Sequence, residues 1–296
     1  MATSLAAALT QALDATFPRV TFTMAYGSGV FQQKNHDASG SMLDLVFAVD
    51  DPQAWHEQNI ARNPQHYSVL KYLGAANIAA FQENFGAGVY YNTLVPLTGK
   101  LLGTRLIKYG VVSTKTLCED LFTWKTLYLS GRMHKPKIAG ISYLGDFRMT
   151  FGENPKKVRN IVDGNLTSFR ELYQRNIQVN GLHVLMVLPL NSPFMSRSLS
   201  DSDLLLANGN DLKTRQTIVE ALPTNVLHRL AAKSQAIGAF DHQAVTKKQL
   251  QRVIATIVFR SSRSQSIKGI ATAGGVKSIV YVAQKLQRTY FKPSQK

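Results

Sequence analysis

Apolar residues along this chain fall into short runs and helical stripes that alternate through its first half. Val20 to Ala25 and Leu43 to Val49 read as two strands joined by a polar loop. Asp50-Asp51-Pro52 closes the second, and Pro52 opens a helix from Gln53 that carries Trp55, His56 and Ile60. Lys71 to Phe85 has helical periodicity, broken by Gly86-Ala87-Gly88. Val89 to Asn92 and Leu106 to Val112 have strand composition. Ser113 fits an N-cap, followed by Leu117, Leu121, Trp124 and Leu127 at three- and four-residue spacing. Ile138 to Thr150 reads as one more strand. After Phe151 the pattern turns helical, over 158–173, 213–222, 223–233 and from Thr246 to Phe259, with a little strand at 182–188. Capping-box patterns begin at Ser200 and Thr246. At the other end, 1–18 reads as an amphipathic helix with Leu5, Leu9 and Leu13 on one face.

Two features of the early strands carry chemistry. Gly27-Ser28-Gly29 directly follows the first strand, and such a turn lets backbone N–H groups approach phosphate oxygens with no Cβ in the way. Asp44 sits among Leu43, Leu45, Val46 and Phe47, where an ionised carboxylate is costly unless a cation or metal partners it. Together they resemble the Gly-Ser…Asp signature of DNA polymerase beta-type nucleotidyltransferases. That superfamily places a second acid two positions after the first, and Val46 stands there in this chain. Asp146, in apolar company on the 138–150 run, is the candidate for the missing acid.

Other groups keep two readings each. Lys108, inside a strand, is an edge residue or a phosphate ligand. His56 and His66 lack a third ligand at zinc-like spacing and are structural or in contact with substrate. Glu119 and Asp120 read as exposed helix acids and Cys118 as a core residue. In the tail, Ser266 to Gly275 sets small residues beside Lys268, as a second phosphate-binding loop or a flexible linker. Val276, Ile279, Val280, Ala283 and Leu286 form one face of a basic helix that rests on an anionic membrane or on its own domain.

Charge changes the picture more than size does. Lys and Arg number 34 against 18 Asp and Glu, a net +16 that attracts nucleic acid, nucleotide phosphates or acidic lipid. The 296 residues suffice for two domains, and 45% hydrophobic content marks a globular chain. No apolar run approaches the roughly 20 residues of a membrane span. The first 18 residues hold no Lys or Arg, so neither a secretory signal nor a transit peptide is expected. One cysteine leaves no internal disulfide and no Cys-rich zinc site.

Several long segments resemble one family. They include Ala-Tyr-Gly-Ser-Gly-Val-Phe from Ala25, Met-Leu-Asp-Leu-Val-Phe-Ala-Val-Asp-Asp-Pro from Met42, and Gly-Ala-Gly-Val-Tyr-Tyr-Asn from Gly86. Leu-Ile-Lys-Tyr-Gly-Val-Val-Ser, Gly-Arg-Met-His-Lys-Pro, Gly-Asp-Phe-Arg-Met and Lys-Gly-Ile-Ala-Thr-Ala-Gly add to them. The match, from about Tyr26 to Leu286, is to the mitochondrial translocator assembly and maintenance family of phosphatidate cytidylyltransferases. A segment that mitochondrial members insert after Ile138, and their presequence, are missing. A bacterial member on the cytoplasmic face of a membrane is therefore expected, with the matrix side of the mitochondrial inner membrane as the eukaryotic counterpart.

The resemblance implies an α/β (α+β) chain. Residues 1–150 would form a polymerase beta-type nucleotidyltransferase domain, 151–259 a winged-helix-like helical domain, and 260–296 a basic segment with an amphipathic helix. The implied reaction is CTP plus phosphatidic acid to CDP-diacylglycerol and pyrophosphate, a step toward phosphatidylglycerol and cardiolipin. Gly27, Ser28 and Gly29 would hold the β,γ-phosphates, and Asp44 with Asp146 would bind Mg²⁺. Lys108, Arg148 and Lys268 would clamp phosphates of CTP or lipid, and Tyr109, Tyr91 and Asn92 would touch base or ribose. The membrane is then the expected partner, rather than nucleic acid. Rival readings are a nucleotidyltransferase acting on RNA or protein, an inactive scaffold, and a winged-helix binder of nucleic acid that leaves the strand acids without a role.

Overall fold

The two early apolar runs pair edge to edge, and a mixed sheet grows from them. The computed structural model describes residues 2–27, 29, 42–134, 140–150, 156–167, 216, 218–234 and 245–274. Strands β1 (Phe22–Tyr26), β2 (Leu43–Val49), β3 (Tyr90–Gly99) and β4 (Gly103–Ser113) stand in the order β1-β2-β4-β3. β2 and β4 run parallel, and each outer strand is antiparallel to its neighbour. Helix α1 (Ala2–Thr16) precedes the sheet. Helices α2 (Pro52–Arg62) and α3 (Ala75–Asn84) connect β2 to β3, and α4 (Thr114–Thr123) follows β4. Beyond come the single turn α5 (Ser130–Met133), α6 (Lys157–Gly164), α7 (Thr224–Ser234) and α8 (Lys247–Ala273). The mixed α/β expectation is borne out.

Alternation divides the sheet into two unlike faces. Leu43, Leu45, Phe47 and Val49 of β2 pack with Ile107, Tyr109 and Val111 of β4, beneath α1 and Trp55 of α2. Burying each such side chain contributes roughly 1.5–3 kcal/mol. This face also holds a buried polar network. His56 Nε2 donates to Gln82 Oε1 at 2.9 Å, so Nδ1 accepts from the Tyr67 hydroxyl at 2.8 Å. Asn59 donates to the hydroxyls of Tyr67 and Tyr109, and Tyr109 also accepts from Asn92. Both histidines are thus structural, with His66 Nδ1 3.1 Å from the Tyr109 oxygen.

Three expected helix starts survive, whereas the strands expected from Val20 and Leu106 begin at Phe22 and Gly103 and the helix expected from Lys71 begins at Ala75. Asp51 caps α2 through Ala54 N, Ser113 caps α4 through Thr116 N, and Thr246 with Gln249 forms the capping box of α8. Several expectations do not. The 138–150 strand is absent from the described residues 140–150, where successive turns link Gly140, Tyr143 and Asp146 and run into a 3-10 segment, Phe147–Thr150. Gly145 has φ +79°, and a Cβ there would lie 2.4 Å from the Ala255 carbonyl oxygen of α8, so the chain turns where a strand would continue. The helix after Ser113 stops at Trp124, whose φ of 55° is left-handed. Cys118 is exposed on α4, not in the core.

The boundary expected at 259/260 falls inside the 27-residue α8. Ser261, Gln265, Lys268 and Thr272 form a buried polar stripe along that helix. Gln265 receives a hydrogen bond from Ala87 N and donates one to Val89 O, tying α8 to the start of β3. The elements expected at 182–188 and 200–206, the start of 213–222, and the tail helix 276–288 lie outside the described residues, so the winged-helix reading rests on sequence alone.

His56 gives the fold a pH dependence with a definite sign. Burial, reinforced by the charge of Lys268 and opposed by the Gln82 hydrogen bond, lowers its pKa to about 4. The folded chain then binds fewer protons than the unfolded one between about pH 6.5 and 4, so stability is full above 6.5 and falls with pH through that window. From pH 6.5 to 5 the loss should be on the order of 2 kcal/mol, at 1.36 kcal/mol per unit. Denaturant midpoints of wild type and His56→Asn at both pH values measure it, and equal pH slopes in the two proteins would refute this assignment.

Candidate active site

The second face of the sheet is where charge collects. Its apolar part is Val46, Ala48, Val89 and Val112, covered by Leu117 of α4 and by Tyr128 and Leu129 of the following loop. Toward the start of β2 the residues become polar and charged. Tyr26 is the register partner of Asp44 on one side, and Lys108 is its partner on the other. These three share a face because paired residues in a sheet point the same way. Tyr91 joins them two residues along, opposite Gly110. A Cβ on Gly110 would lie 2.5 Å from the Tyr91 ring, so only glycine lets that ring lie across β4. Lys108 Nζ then sits 4.5 Å from the ring centroid, and the Tyr91 and Tyr26 hydroxyls meet at 3.1 Å.

The turn after β1 presses on the same carboxylate. Gly27 has φ +81°, and a Cβ there would come 2.9 Å from Asp44 Oδ2. Glycine is needed twice over, for the left-handed backbone and for the close approach. Gly29 lies beside Leu43, where a Cβ would meet Leu43 Cδ2 at 3.0 Å. Ser28 lies outside the described residues.

The other expected site residues divide. Tyr109 and Asn92 occupy the opposite face, fully buried and bonded to each other, so they do not line the Asp44 face. Their neighbours Lys108 and Tyr91 do. Lys268 belongs to no loop: it is buried within α8 and donates to Gln82 O at 2.7 Å and Phe85 O at 2.6 Å, closing the C-terminal end of α3. Burial lowers its pKa to about 7, with Glu83 opposing. Asp146 is buried in a turn rather than a strand and is engaged by Arg148, whose Nε lies 3.0 and 3.1 Å from the two carboxylate oxygens. Burial pushes that carboxyl up, but the Arg148 hydrogen bonds and charge outweigh it and hold it below the usual range.

Two groups were not anticipated. The first is Arg132, within the Gly131-Arg-Met-His segment that read only as a basic turn. Its guanidinium lies 3.6 Å from the Tyr128 ring centroid and 5.6 Å from that of Tyr26, and Nη1 donates to Tyr128 O. The tyrosines register the local field. Burial and the Asp44 charge raise the Tyr26 pKa to about 12 against Lys108 and Arg132. For Tyr128, burial acts upward, yet Arg132, Lys108 and Arg148 together bring the phenol below its ordinary value. Three cations therefore converge on one aromatic-lined face.

The second is Asp120, expected exposed and found buried. Its Oδ1 accepts from Thr126 N, Thr126 Oγ1 and Leu127 N at 2.7–3.0 Å. Its Oδ2 accepts from Leu129 N, Ser130 N and Ser130 Oγ, each at 3.0 Å. One carboxylate thus folds the loop 124–130, with left-handed Trp124 and Leu127, that presents Tyr128 and leads into Arg132. The signal open to sequence was the cluster of hydroxyl donors Thr126 and Ser130 shortly after an acid at a helix end.

Among the described residues no group of three or more His, Cys, Asp or Glu gathers to hold a metal. Asp44 nevertheless fits a triphosphate-borne Mg²⁺, which takes one or two carboxylates and draws its remaining ligands from phosphate and water. The space that Gly27 leaves against Asp44 Oδ2 suits such a ligand.

Comparison with known proteins gives a consistent result. Residues 9–136 and 137–288 match the model of a family described as mitochondrial phosphatidate cytidylyltransferase. Curated proteins of that name align along nearly the whole chain. The Xenopus laevis protein is 37% identical over 92% of this chain and 91% of its own. The Danio rerio protein is 36% identical over 93% and 92%, and the Drosophila melanogaster protein 35% over 93% and 97%.

Asp120→Ala should strand six donors, and with hydrogen bonds to a charged group contributing about 1.5–3 kcal/mol each and not additive, a total loss of roughly 3–5 kcal/mol is expected. The neighbouring exposed Glu119→Ala should stay within about 0.5 kcal/mol. Chemical denaturation of the two variants makes the comparison, and similar midpoints would contradict the role given to Asp120.

Proposed function

The chain belongs to the phosphatidate cytidylyltransferase family, and from that premise we propose that its charged sheet face transfers a cytidylyl group from CTP to phosphatidate, releasing pyrophosphate. One observation carries the placement: Asp44 stands on β2 between Tyr26 and Lys108, with the left-handed Gly27 against its carboxylate. The chain is a nucleotidyltransferase by family. The phosphate-facing turn, the single acid and the neighbouring cation supply what such a transfer needs.

The steps assign roles to the residues present. The turn at Gly27 offers backbone N–H groups to the triphosphate without a side chain in the way. Asp44 would hold Mg²⁺ on the triphosphate, and bound metal would neutralise charge on the phosphates. Lys108 sets a cation beside the same oxygens. A phosphatidate oxygen attacks the α-phosphorus in line, the new P–O bond forms, and the bond to the β-phosphate oxygen breaks as pyrophosphate leaves. The nucleophile is already anionic, so no side chain has to remove a proton. Arg148, anchored by Asp146, adds positive charge to the wall of the site. Asp146 is thus given the task of holding Arg148 rather than a metal. Tyr109, Asn92 and Lys268 are left to the fold.

The lipid acceptor keeps its acyl chains in a bilayer while its phosphate reaches the site. Among the described residues no helix is long and apolar enough to cross a membrane. Contact at an anionic surface, drawn by the net +16 charge, is the mode this reading uses.

Purified protein incubated with labelled CTP, Mg²⁺ and phosphatidate vesicles should form CDP-diacylglycerol, and RNA in place of vesicles should accept no label. Label on RNA and none on lipid would overturn the reading. Asp44→Ala should reduce lipid labelling about 10²- to 10³-fold, as for loss of an essential electrostatic group, in a variant that circular dichroism shows to be folded. Tyr109→Phe should lower stability and leave turnover within about threefold, because its hydroxyl serves the opposite face. A large loss of turnover in folded Tyr109→Phe would contradict the division between the faces.

A further inference from the structure

We infer that Arg132 is an oxyanion-binding residue of the reaction, gripping phosphate oxygens through a guanidinium that the fold holds on aromatic rings instead of on a carboxylate. The inference rests on the reaction proposed above. Its ground is a contrast between two arginines facing the same cluster. Arg148 is matched by Asp146. Arg132 has no carboxylate ion pair among the described residues; it has the Tyr128 and Tyr26 rings and the Tyr128 carbonyl.

That difference has a chemical consequence. A carboxylate partner offsets part of a guanidinium's charge and occupies the fork of N–H groups that recognises phosphate. Aromatic faces hold the cation without cancelling its charge, and the acceptors that Arg132 does meet, the Tyr128 carbonyl and the Tyr26 hydroxyl, are uncharged groups. Arg132 is therefore ordered and still electrostatically available. Its position supports the same use. Tyr26, which it faces, is the register partner of Asp44, and Asp44 is the partner of Lys108. The charge of Arg132 also acts on Tyr91 and on Asp146. The fold invests in this placement, because the six hydrogen bonds to Asp120 fix the loop immediately before Arg132.

The anion is a phosphate group, which CTP, the departing pyrophosphate and the phosphatidate headgroup all carry. Full-length wild type, Arg132→Lys and Arg132→Gln are compared with CTP and phosphatidate varied independently in mixed vesicles, and pyrophosphate as product inhibitor. Circular dichroism and denaturant midpoints report folding. Arg132→Gln should lower kcat/KM at least 100-fold and Arg132→Lys at least 10-fold, since lysine keeps the charge and loses the fork. A rise confined to the KM for CTP, with weaker pyrophosphate inhibition, assigns the contact to the triphosphate. A rise confined to the KM for phosphatidate assigns it to the headgroup, and a fall in kcat alone assigns it to charge developing during transfer. Folded variants with kcat, both KM values and pyrophosphate inhibition all within threefold of wild type overturn the inference. If Arg132→Gln does not fold, the lysine variant decides by the same threshold. Failure of wild type to make CDP-diacylglycerol would sink the proposed reaction instead; pyrophosphate-induced stabilisation of wild type, present or lost in Arg132→Lys, would then judge Arg132 on its own.

Discussion

A carboxylate on an interior strand has to be matched by positive charge, and the arrangement around Asp44 follows from that constraint. The parallel pairing of β2 with β4 sets Lys108 directly across from it. The antiparallel pairing with β1 sets Tyr26 on its other side and brings the Gly27 turn against its oxygen. Because side chains alternate, the same registers send Leu43, Leu45, Ile107 and Tyr109 to the far face, where they build the core with α1 and α2. A one-residue slip of β2 would exchange those faces, burying Asp44 under α1 and stranding Leu43 and Leu45 on the site.

The strands and their first acid were legible because both rest on local pattern. Seven consecutive residues buried or half-buried in β2 read as a near-continuous apolar run, and the one exception marked itself. The same alternation could have separated Lys108 from Tyr109 and Tyr91 from Asn92, since adjacent strand residues cannot share a face. Reading each pair as one site overlooked that rule. Lys268 misled for another reason. Its small neighbours suggested a loop, yet Ser261, Gln265, Lys268 and Thr272 repeat at helical spacing and are all buried. A buried stripe made of polar residues escapes any search for apolar periodicity. Asp120 and Asp146 each had a nearby partner in sequence, Thr126 and Ser130 for the one and Arg148 for the other, but polar pairs of this kind leave no trace in apolar periodicity.

Helix α8 binds the C-terminal part of the described chain to the sheet through polar contacts. Gln265 and Lys268 reach backbone groups about 180 residues away in sequence, at the end of α3 and the start of β3. Lys268 donates to carbonyls that a helix end leaves without partners, where the dipole favours a cation. Burial opposes its charge and the carbonyls accept its protons. The contact specifies where α8 docks more than it adds net stability, since a buried cation recovers little beyond its desolvation cost. Gly145 completes the docking by letting the Asp146 turn meet the backbone of α8 at Ala255. The geometry of Arg148 is therefore tied to α8.

The two sheet faces treat polar groups in opposite ways, and the difference separates folding from chemistry. On the core face His56, Asn59, Tyr67 and Tyr109 satisfy one another, and the network carries no net charge at neutral pH. On the other face Lys108, Arg132 and Arg148 act together on Tyr128 strongly enough to overcome the effect of its burial. Bringing like charges together costs free energy in the unliganded protein, and a polyanion recovers it on binding. A buried, uncharged network whose groups mostly satisfy one another has little to offer a polyanion, whereas a cluster with several cations does. The asymmetry between the faces thus supports the placement proposed for the phosphate chemistry, independently of the motifs that first pointed to Asp44.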